Sequence, residues 1–361
     1  MSEKRLESID LWKGITILSV LVIHTTFWSG RLYLPDWTRS LSLLLDVPVF
    51  FFISGYLLQS SEAKVIGQRS GRQLIRLVTD YAVISIIALT LAVVVFVVFR
   101  LEVHIEPNIR SAIMTTLKFH PTDSTSESVW DIFQVFGGSM WYLRVYFSVL
   151  LLGILILASP LKRGLLFLPL ISYAVFLLTT MYPLLVQPFL LTDTQYATFY
   201  LTLFLAGAVF KEYKNRLSMS GLSLTWAFLL VASLVSVVRE GGLHDLQEAK
   251  FPPSSLYLLF SLHSILAFCL LVLFESKKPF MKPKYHLRSF FSWCGQQTYR
   301  IYLWQGVAAS IPFFFIPYLL EKGIPTAAII VIVLVWNIGA SLALTYGYNR
   351  LVPVKIFPGK G

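Results

Sequence analysis

Two ionisable side chains stand out in an otherwise apolar segment near the start of the chain. Lys13 and His24 both lie in the sequence LWKGITILSVLVIHTT, residues 11 to 26. Their separation of eleven residues is close to three turns of an α-helix, so both side chains are expected on one face, about 16 Å apart along the axis. Ionisable residues inside a membrane span are costly unless they face the bundle interior or water, and they therefore indicate function.

The spacing of this pair fits a long ligand that lies along one face of the helix. Lys13 would hold anionic groups at the mouth of a channel, and His24 would act as the general base that deprotonates a hydroxyl. Coenzyme A thioesters have this shape, with phosphates at one end and the acyl group at the other. Structural interpretations stay open for both residues. Lys13 can reach the lipid headgroups, and His24 can be a buried side chain hydrogen-bonded to a neighbouring span.

The composition is typical of a polytopic membrane protein. Of the 361 residues, 56% are hydrophobic and 14% are charged, whereas soluble domains average about 25% charged residues. The first apolar run is longer than the core of a signal peptide and no cleavage motif follows it, so we interpret it as a retained span. Cys269 and Cys294 fall in or beside spans and are expected to be buried without a disulfide.

Ten segments reach or approach the length of about 17 to 25 apolar residues that a transmembrane helix needs. The sequence therefore predicts an all-α, polytopic membrane helix bundle, with residues 1–361 forming a single membrane domain. No internal repeat or soluble linker of domain size interrupts it. The predicted spans lie near residues 9–28, 41–58, 77–99, 139–157, 165–182, 196–210, 222–238, 255–274, 299–319 and 327–346.

The distribution of lysine and arginine predicts the orientation of the bundle. If the N-terminus is cytoplasmic, the segments on that side carry 19 basic residues and the opposite loops carry 8. Because an excess of Lys and Arg marks cytoplasmic loops, both termini are predicted to be cytoplasmic. The same excess, together with attraction to anionic lipid, accounts for most of the net charge of +11. Nucleic acid binding is not needed to explain it.

The longest predicted outer loop, residues 100–138, is rich in titratable side chains. It can be ordinary solvated surface, or it can help to bind a polar acceptor such as a sugar. The side chains in question are Glu102, His104, Glu106, His120, Asp123, Glu127 and Asp131.

Several segments of the sequence resemble the integral-membrane acyltransferase-3 family. The segment ESIDLWKGITILSVLVIH is similar to the first helix of that family, with a basic residue, ten further residues and then a histidine. Five more segments match its later motifs in the family's order. They are DVPVFFFISGYLL, MWYLRVYFSVLLL, FYLTLFLAGAVF, FPPSSLYLLFSLH and CGQQTYRIYLWQ.

The resemblance implies a ten-span membrane O-acyltransferase, most often an O-acetyltransferase, in the bacterial inner membrane. Its acyl donor would be cytoplasmic acetyl-CoA, used as a co-substrate, and no metal ion is expected. The acceptor would be a hydroxyl of a cell-surface polysaccharide, a lipid-linked saccharide or another envelope glycan. Whether the protein also forms a homodimer stays open. The extracytoplasmic hydrolase-like domain of some members is not expected, so the membrane domain would acylate the acceptor itself.

The resemblance also assigns roles to individual residues. His24 stands at the essential histidine of the family. Lys13 stands where the family often has arginine, and a lysine lacks the bidentate recognition of phosphate that an arginine provides. Arg72 and Arg76 match the basic cluster that is thought to hold the CoA phosphates, with looser spacing than usual. Gln305 stands where many members have histidine.

Three further residues are candidates for the acceptor side of the site. Arg144 and Trp141 lie near the outer end of the fourth predicted span, where they can either anchor the helix at the interface or contact a sugar. His263, in the eighth predicted span, is expected at a depth similar to that of His24, in the same cavity.

Two other classes of protein stay open. A transporter of a lipid-linked glycan or a small polar solute would also carry His and Lys inside its spans. However, the chain has no pair of Gly- or Pro-broken spans in matching halves, which is the usual sign of an inverted-repeat carrier. A non-catalytic assembly subunit would tolerate the loss of His24, whereas an enzyme would not.

Overall fold

The computed structural model describes residues 7–42, 47–60, 62–98, 113, 116, 130, 132–239, 248–277 and 286–352. These residues form thirteen α-helices, joined by turns and by short 3-10 segments. A two-stranded antiparallel ladder pairs β1 (Pro188–Phe189) with β2 (Thr192–Asp193). The helices are α1 Glu7–Phe27, α2 Asp36–Ser42, α3 Pro48–Leu58, α4 Ala63–Val98, α5 Gln134–Ala158, α6 Leu168–Met181, α7 Thr194–Tyr213, α8 Met219–Arg239, α9 Ser255–Lys277, α10 His286–Gln296, α11 Thr298–Ala308, α12 Pro312–Glu321 and α13 Thr326–Leu351.

The prediction of a helical membrane bundle is confirmed. Within the described residues, six helices are long and apolar enough to cross a membrane, or seven if the bent pair α11 and α12 is one span. Helices α3 and α6 are apolar but shorter than a full span. The count of ten spans and the cytoplasmic position of the termini stay predictions. The titratable residues of the predicted outer loop lie outside the described residues.

The predicted span at 299–319 is divided into two helices. Helix α11 ends at Ala308, α12 begins at Pro312, and the two axes are bent by 48°. Proline has no backbone N–H, and its ring clashes with the carbonyl four residues earlier in a continuous helix. The carbonyl of Ala308, which occupies that position, instead accepts a hydrogen bond from the indole N–H of Trp336 on α13, at 3.1 Å.

Glycines let two helix pairs approach backbone to backbone. On α3 and α7, Gly55 packs against the carbonyl of Phe204, and Gly207 packs against that of Phe52. A β-carbon at any of these glycines would overlap a backbone carbonyl, so each pair depends on having no side chain at these positions. Gly55 therefore acts as a helix-packing residue.

The same arrangement joins α1 to α10. Gly14 of α1 packs against the carbonyl of Phe291, and Gly295 of α10 packs against that of Asp10. Since residue 14 lies opposite 291 and residue 10 opposite 295, the two helices run antiparallel. This contact fixes the part of α1 that carries Lys13. Cys294 beside it, like Cys269 on α9, is buried and free of a disulfide, as predicted.

Candidate active site

A cavity of about 280 Å³ lies between helices α1, α3, α4, α5, α10 and α11. Its lining combines apolar side chains with tyrosines, amides, hydroxyls and two basic residues. These residues are Lys13, Ile17, Val20, Val47, Phe50, Ile53, Ser54, Leu57, Gln73, Arg76, Leu77, Tyr142, Tyr146, Gly295, Gln296, Thr298, Tyr299 and Tyr302.

One face of α1 forms a wall of this cavity. Lys13, Ile17 and Val20 line it, and their spacing of four and three residues places them in a row along the helix. The ammonium of Lys13 lies 3.5 Å from the carboxylate of Asp10, and the Lys13 side chain is 20% exposed. Lys13 therefore faces the cavity inside the bundle, with a carboxylate that partly balances its charge.

The mouth of the cavity is marked by its exposed lining residues, Leu57, Arg76 and Gln296. Arg76 has a half-exposed side chain, and its Nε lies 3.8 Å from the buried carboxylate of Asp80. Arg72, one turn earlier on α4, is exposed and donates a hydrogen bond to the carbonyl of Gln68 at 3.3 Å. Of the two arginines that the sequence singles out, the structure therefore brings Arg76 to the cavity and leaves Arg72 outside the lining.

Tyrosines close the inner end of the cavity. The ring of Tyr142 lies 5.6 Å from that of Tyr146 and 4.9 Å from that of Tyr302, measured between centroids. The hydroxyl of Tyr302 donates a hydrogen bond to the carbonyl of Ser139 at 2.7 Å, which holds α11 against α5. This hydrogen bond orients the Tyr302 ring at the inner end of the cavity, beside Tyr142.

Tyr146 also contributes a polar strip to the cavity wall. Its hydroxyl lies 3.2 Å from the hydroxyl of Ser54 and accepts a hydrogen bond from the amide of Gln73, also at 3.2 Å. All three residues line the cavity. The strip can hold the amide groups of an extended ligand that runs inward from Lys13.

His24 lies one helical turn beyond Val20, at the inner end of the same row on α1. Its half-buried imidazole meets the ring of Tyr302 edge-on, with 6.5 Å between centroids and an interplanar angle of 86°. The sequence predicts Lys13 and His24 in one continuous cavity. In the part of the chain that the structure describes, the lining includes Lys13 but not His24. The ring of Tyr302 links His24 to the cavity, because it lines the cavity and also contacts the imidazole of His24.

The acceptor-side candidates lie away from the lining of this cavity, as far as the described residues extend. Arg144 donates from Nε to the carbonyl of Leu191 at 2.5 Å and so holds the loop between β1 and β2 against α5. The ring of Trp141 lies under the ammonium of Lys250, at 5.2 Å. The ring of His263 stacks on that of Trp226 of α8, with 5.2 Å between centroids, and a cavity that His263 shares with His24 stays a prediction.

A buried ion pair that was not predicted from the sequence lies next to the cavity. Asp80 of α4 accepts two hydrogen bonds from the guanidinium of Arg300, at 2.9 and 3.0 Å, and one from the hydroxyl of Tyr348, at 3.0 Å. Arg300 also donates to the side-chain oxygen of Asn349. The sequence does contain one signal for this pair. Asp80 and Arg300 each lie at the edge of a predicted span, and ionisable residues within spans tend to pair with one another.

No group of three or more His, Cys, Asp or Glu side chains that could hold a metal ion occurs among the described residues.

A protein-family model matches the chain along almost its whole length. The matching model is that of the acyltransferase-3 kind, described as an acyltransferase domain, and it covers residues 6–346. No curated protein and no solved structure matches the chain.

Proposed function

Because the chain belongs to the acyltransferase-3 family, we propose that it is a membrane O-acyltransferase that uses cytoplasmic acyl-CoA, with acetyl-CoA as the donor. The acceptor in this proposal is a hydroxyl of a cell-surface polysaccharide, a lipid-linked saccharide or another envelope glycan. The site of action is the bacterial inner membrane. His24 serves as the general base, and no metal takes part.

The observation that carries the proposal is the row of Lys13, Ile17, Val20 and His24 along α1. The first three line a cavity whose mouth is marked by Arg76, and His24 contacts the ring that closes its inner end. The volume of about 280 Å³ lies near the lower limit of small-molecule pockets, about 300 to 1,000 Å³. This size suits the pantetheine arm and an acetyl group better than a whole CoA molecule. The nucleotide phosphates then remain at the mouth, beside Lys13 and Arg76.

In the proposed reaction, His24 removes the proton from the acceptor hydroxyl while its oxygen attacks the carbonyl carbon of the thioester. The carbon–oxygen bond forms, the carbon–sulfur bond breaks, and the CoA thiolate leaves with the proton that His24 has taken. Lys13 and Arg76 hold the donor by charge-assisted contacts with its phosphates. An acylated His24 is a competing route through the same residue, and trapping of a labelled acetyl group on it would favour that route.

The test is turnover of radiolabelled acetyl-CoA by the purified protein in lipid nanodiscs, with and without envelope glycan as acceptor. His24→Ala is expected to lower kcat by about 10² to 10⁴-fold, the usual contribution of a general base. His286→Ala is the control, since it removes an exposed histidine at the start of α10 that is not part of the cavity lining, and it is expected to keep normal turnover. Equal activity of the two variants would refute the role of His24.

Variants of Lys13 test donor binding separately from the chemical step in the same assay. Lys13→Arg keeps the positive charge and is expected to keep most activity, whereas Lys13→Met is expected to raise the KM for acetyl-CoA by about tenfold, the effect of one lost charge-assisted contact. A change confined to the acceptor constant would contradict this assignment. Absence of acetyl-CoA turnover, combined with His24-dependent export of a saccharide from cells, would favour the transporter.

A further inference from the structure

We infer that Gln305 is a second catalytic residue of this transfer, and that its side-chain amide donates a hydrogen bond to the acyl carbonyl oxygen as negative charge develops there. The inference rests on the proposed function and names the group that stabilises the oxyanion of the reaction.

The first observation is the burial of this amide without a partner. Gln305 is 0% exposed, and neither its Nε2 nor its Oε1 makes a hydrogen bond within the described residues. Buried polar groups are paired in the great majority of cases, so an unpaired amide calls for an explanation such as a catalytic role. A ligand that brings a carbonyl oxygen to this amide would supply the missing acceptor.

The other buried amides among the described residues each donate a hydrogen bond from the side-chain nitrogen. Asn337 of α13 is also 0% exposed, but it donates to the hydroxyl of Thr25 at 2.8 Å and to the carbonyl of Leu21 at 3.2 Å. Gln195 of α7, which is 8% exposed, donates to the hydroxyl of Thr180 at 3.4 Å. Gln305 differs from these amides, because its side chain has no such hydrogen-bond partner among the described residues.

The second observation is the position of Gln305 along α11. It follows Tyr302 by three residues, so the two side chains lie on neighbouring positions of one face, a turn apart. Tyr302 closes the cavity and contacts His24. The other faces of α11 are occupied, since Arg300 pairs with Asp80 on α4 and Gly306 packs on Phe136 of α5.

Helices α1 and α11 run in the same direction, because both are antiparallel to α5. Tyr302 bonds to Ser139, and Gly306, further along α11, packs on Phe136, which lies earlier on α5. On α1, Trp28 packs on Gly138 of α5, while Val20 lies at the cavity, which Tyr142 and Tyr146 of α5 also line. His24 and Gln305 thus lie on parallel helices, and each follows a cavity-lining residue of its own helix, Val20 or Tyr302, by about one turn.

The chemistry of the two groups is complementary. His24 takes the proton of the attacking hydroxyl, and the Nε2–H of Gln305 meets the carbonyl oxygen when the carbon becomes tetrahedral. The carbon–sulfur bond then breaks, the carbonyl re-forms, and the thiolate takes the proton from His24. One such donor is typically worth about 10² to 10³-fold in kcat. Because its effect is greatest in the transition state, it contributes little to the KM for the donor.

The test compares Gln305→Met with wild type in the acetyl-CoA turnover assay and in thermal unfolding. Methionine has a similar length and no donor, so kcat is expected to fall by about 10² to 10³-fold with little change in KM or in Tm. Gln195→Met is the matched control. It removes a buried amide that has a partner and lies outside the cavity, and it is expected to lower Tm and leave kcat unchanged.

The outcomes separate this inference from the proposed function. If wild type turns over acetyl-CoA and His24→Ala does not, but Gln305→Met equals wild type, the inference is overturned and the proposed function stands. If Gln305→Met loses activity only in proportion to a lowered Tm, the residue is structural and the inference also fails. Should methionine prevent folding, Gln305→Ala is measured in the same way. Absence of turnover by wild type would overturn the proposed function and the inference together.

Discussion

The buried pair of Asp80 and Arg300 gives the sharpest test of how this bundle is held together. Both side chains are at most 5% exposed, and three hydrogen bonds of 2.9 to 3.0 Å converge on the carboxylate. They join α4 to α11 and α13. Asp80→Asn keeps the shape of the side chain but removes the charge that balances the buried guanidinium of Arg300.

The expected cost follows from the burial of the charge that remains. Breaking a buried ion pair on one side typically costs about 3 to 5 kcal/mol, because the other charge stays in a low-dielectric interior. The nearby Arg76 adds little, since it lies 3.8 Å away with a half-exposed side chain, and such exposed pairs are worth about 0 to 1 kcal/mol. We therefore expect Asp80→Asn to lower the free energy of unfolding by about 3 to 5 kcal/mol.

The assay is reversible unfolding in mixed micelles, followed by loss of helical circular dichroism. The double variant Asp80→Leu/Arg300→Met replaces both charges with apolar side chains and is expected to be more stable than Asp80→Asn alone. Asp36→Asn is the matched control. Its partner Arg39 is 2.8 Å away, but the aspartate side chain is 69% exposed, so the loss should stay below about 1 kcal/mol. Equal losses at the two sites, or a double variant less stable than the single one, would refute the reasoning.

Three further predictions follow from the contacts. Arg76→Ala is expected to raise the KM for acetyl-CoA by about tenfold, as for one lost charge-assisted hydrogen bond, and more than Arg72→Ala does; equal effects would contradict the positions of the two arginines. Gly207→Leu is expected to abolish the folded protein in a detergent-solubility assay, because the side chain would meet a backbone carbonyl, whereas Gly71→Ala, with open space around it, is expected to be neutral. A topology reporter fused at Ser126 is expected to report the side opposite the N-terminus, and a cytoplasmic signal would overturn the predicted orientation.

The class of the protein could be predicted from the sequence because the lipid environment restricts membrane spans to long, mainly apolar segments. Spans must be helical, since only a helix satisfies its own backbone groups in hydrocarbon. Helical periodicity then predicted that Lys13 and His24 share a face of α1, and both do, with Lys13 in the cavity lining. The turn of helix that carries Arg76 is likewise at the cavity.

The end of the cavity could not be predicted in this way. Periodicity within α1 gives the direction of His24 but does not reveal which ring from another helix lies beside it. Tyr302 comes from the far end of the chain and its position depends on a hydrogen bond to Ser139 of α5. His263 shows the same limit. Its depth could be estimated from the sequence, but the face it presents to α8 depends on packing with Trp226.

Two sets of ionisable residues inside the bundle have different surroundings, which the sequence alone does not distinguish. Asp80 and Arg300 satisfy each other and bind three helices together, whereas Lys13 and Arg76 line an open cavity. The two sets meet at Asp80, which lies 3.8 Å from Arg76. A ligand phosphate that draws Arg76 toward the mouth would therefore leave the carboxylate with Arg300 and Tyr348 as partners. Since these two hold it by the shorter contacts, a ligand that reorients Arg76 in this way is not expected to loosen the helices.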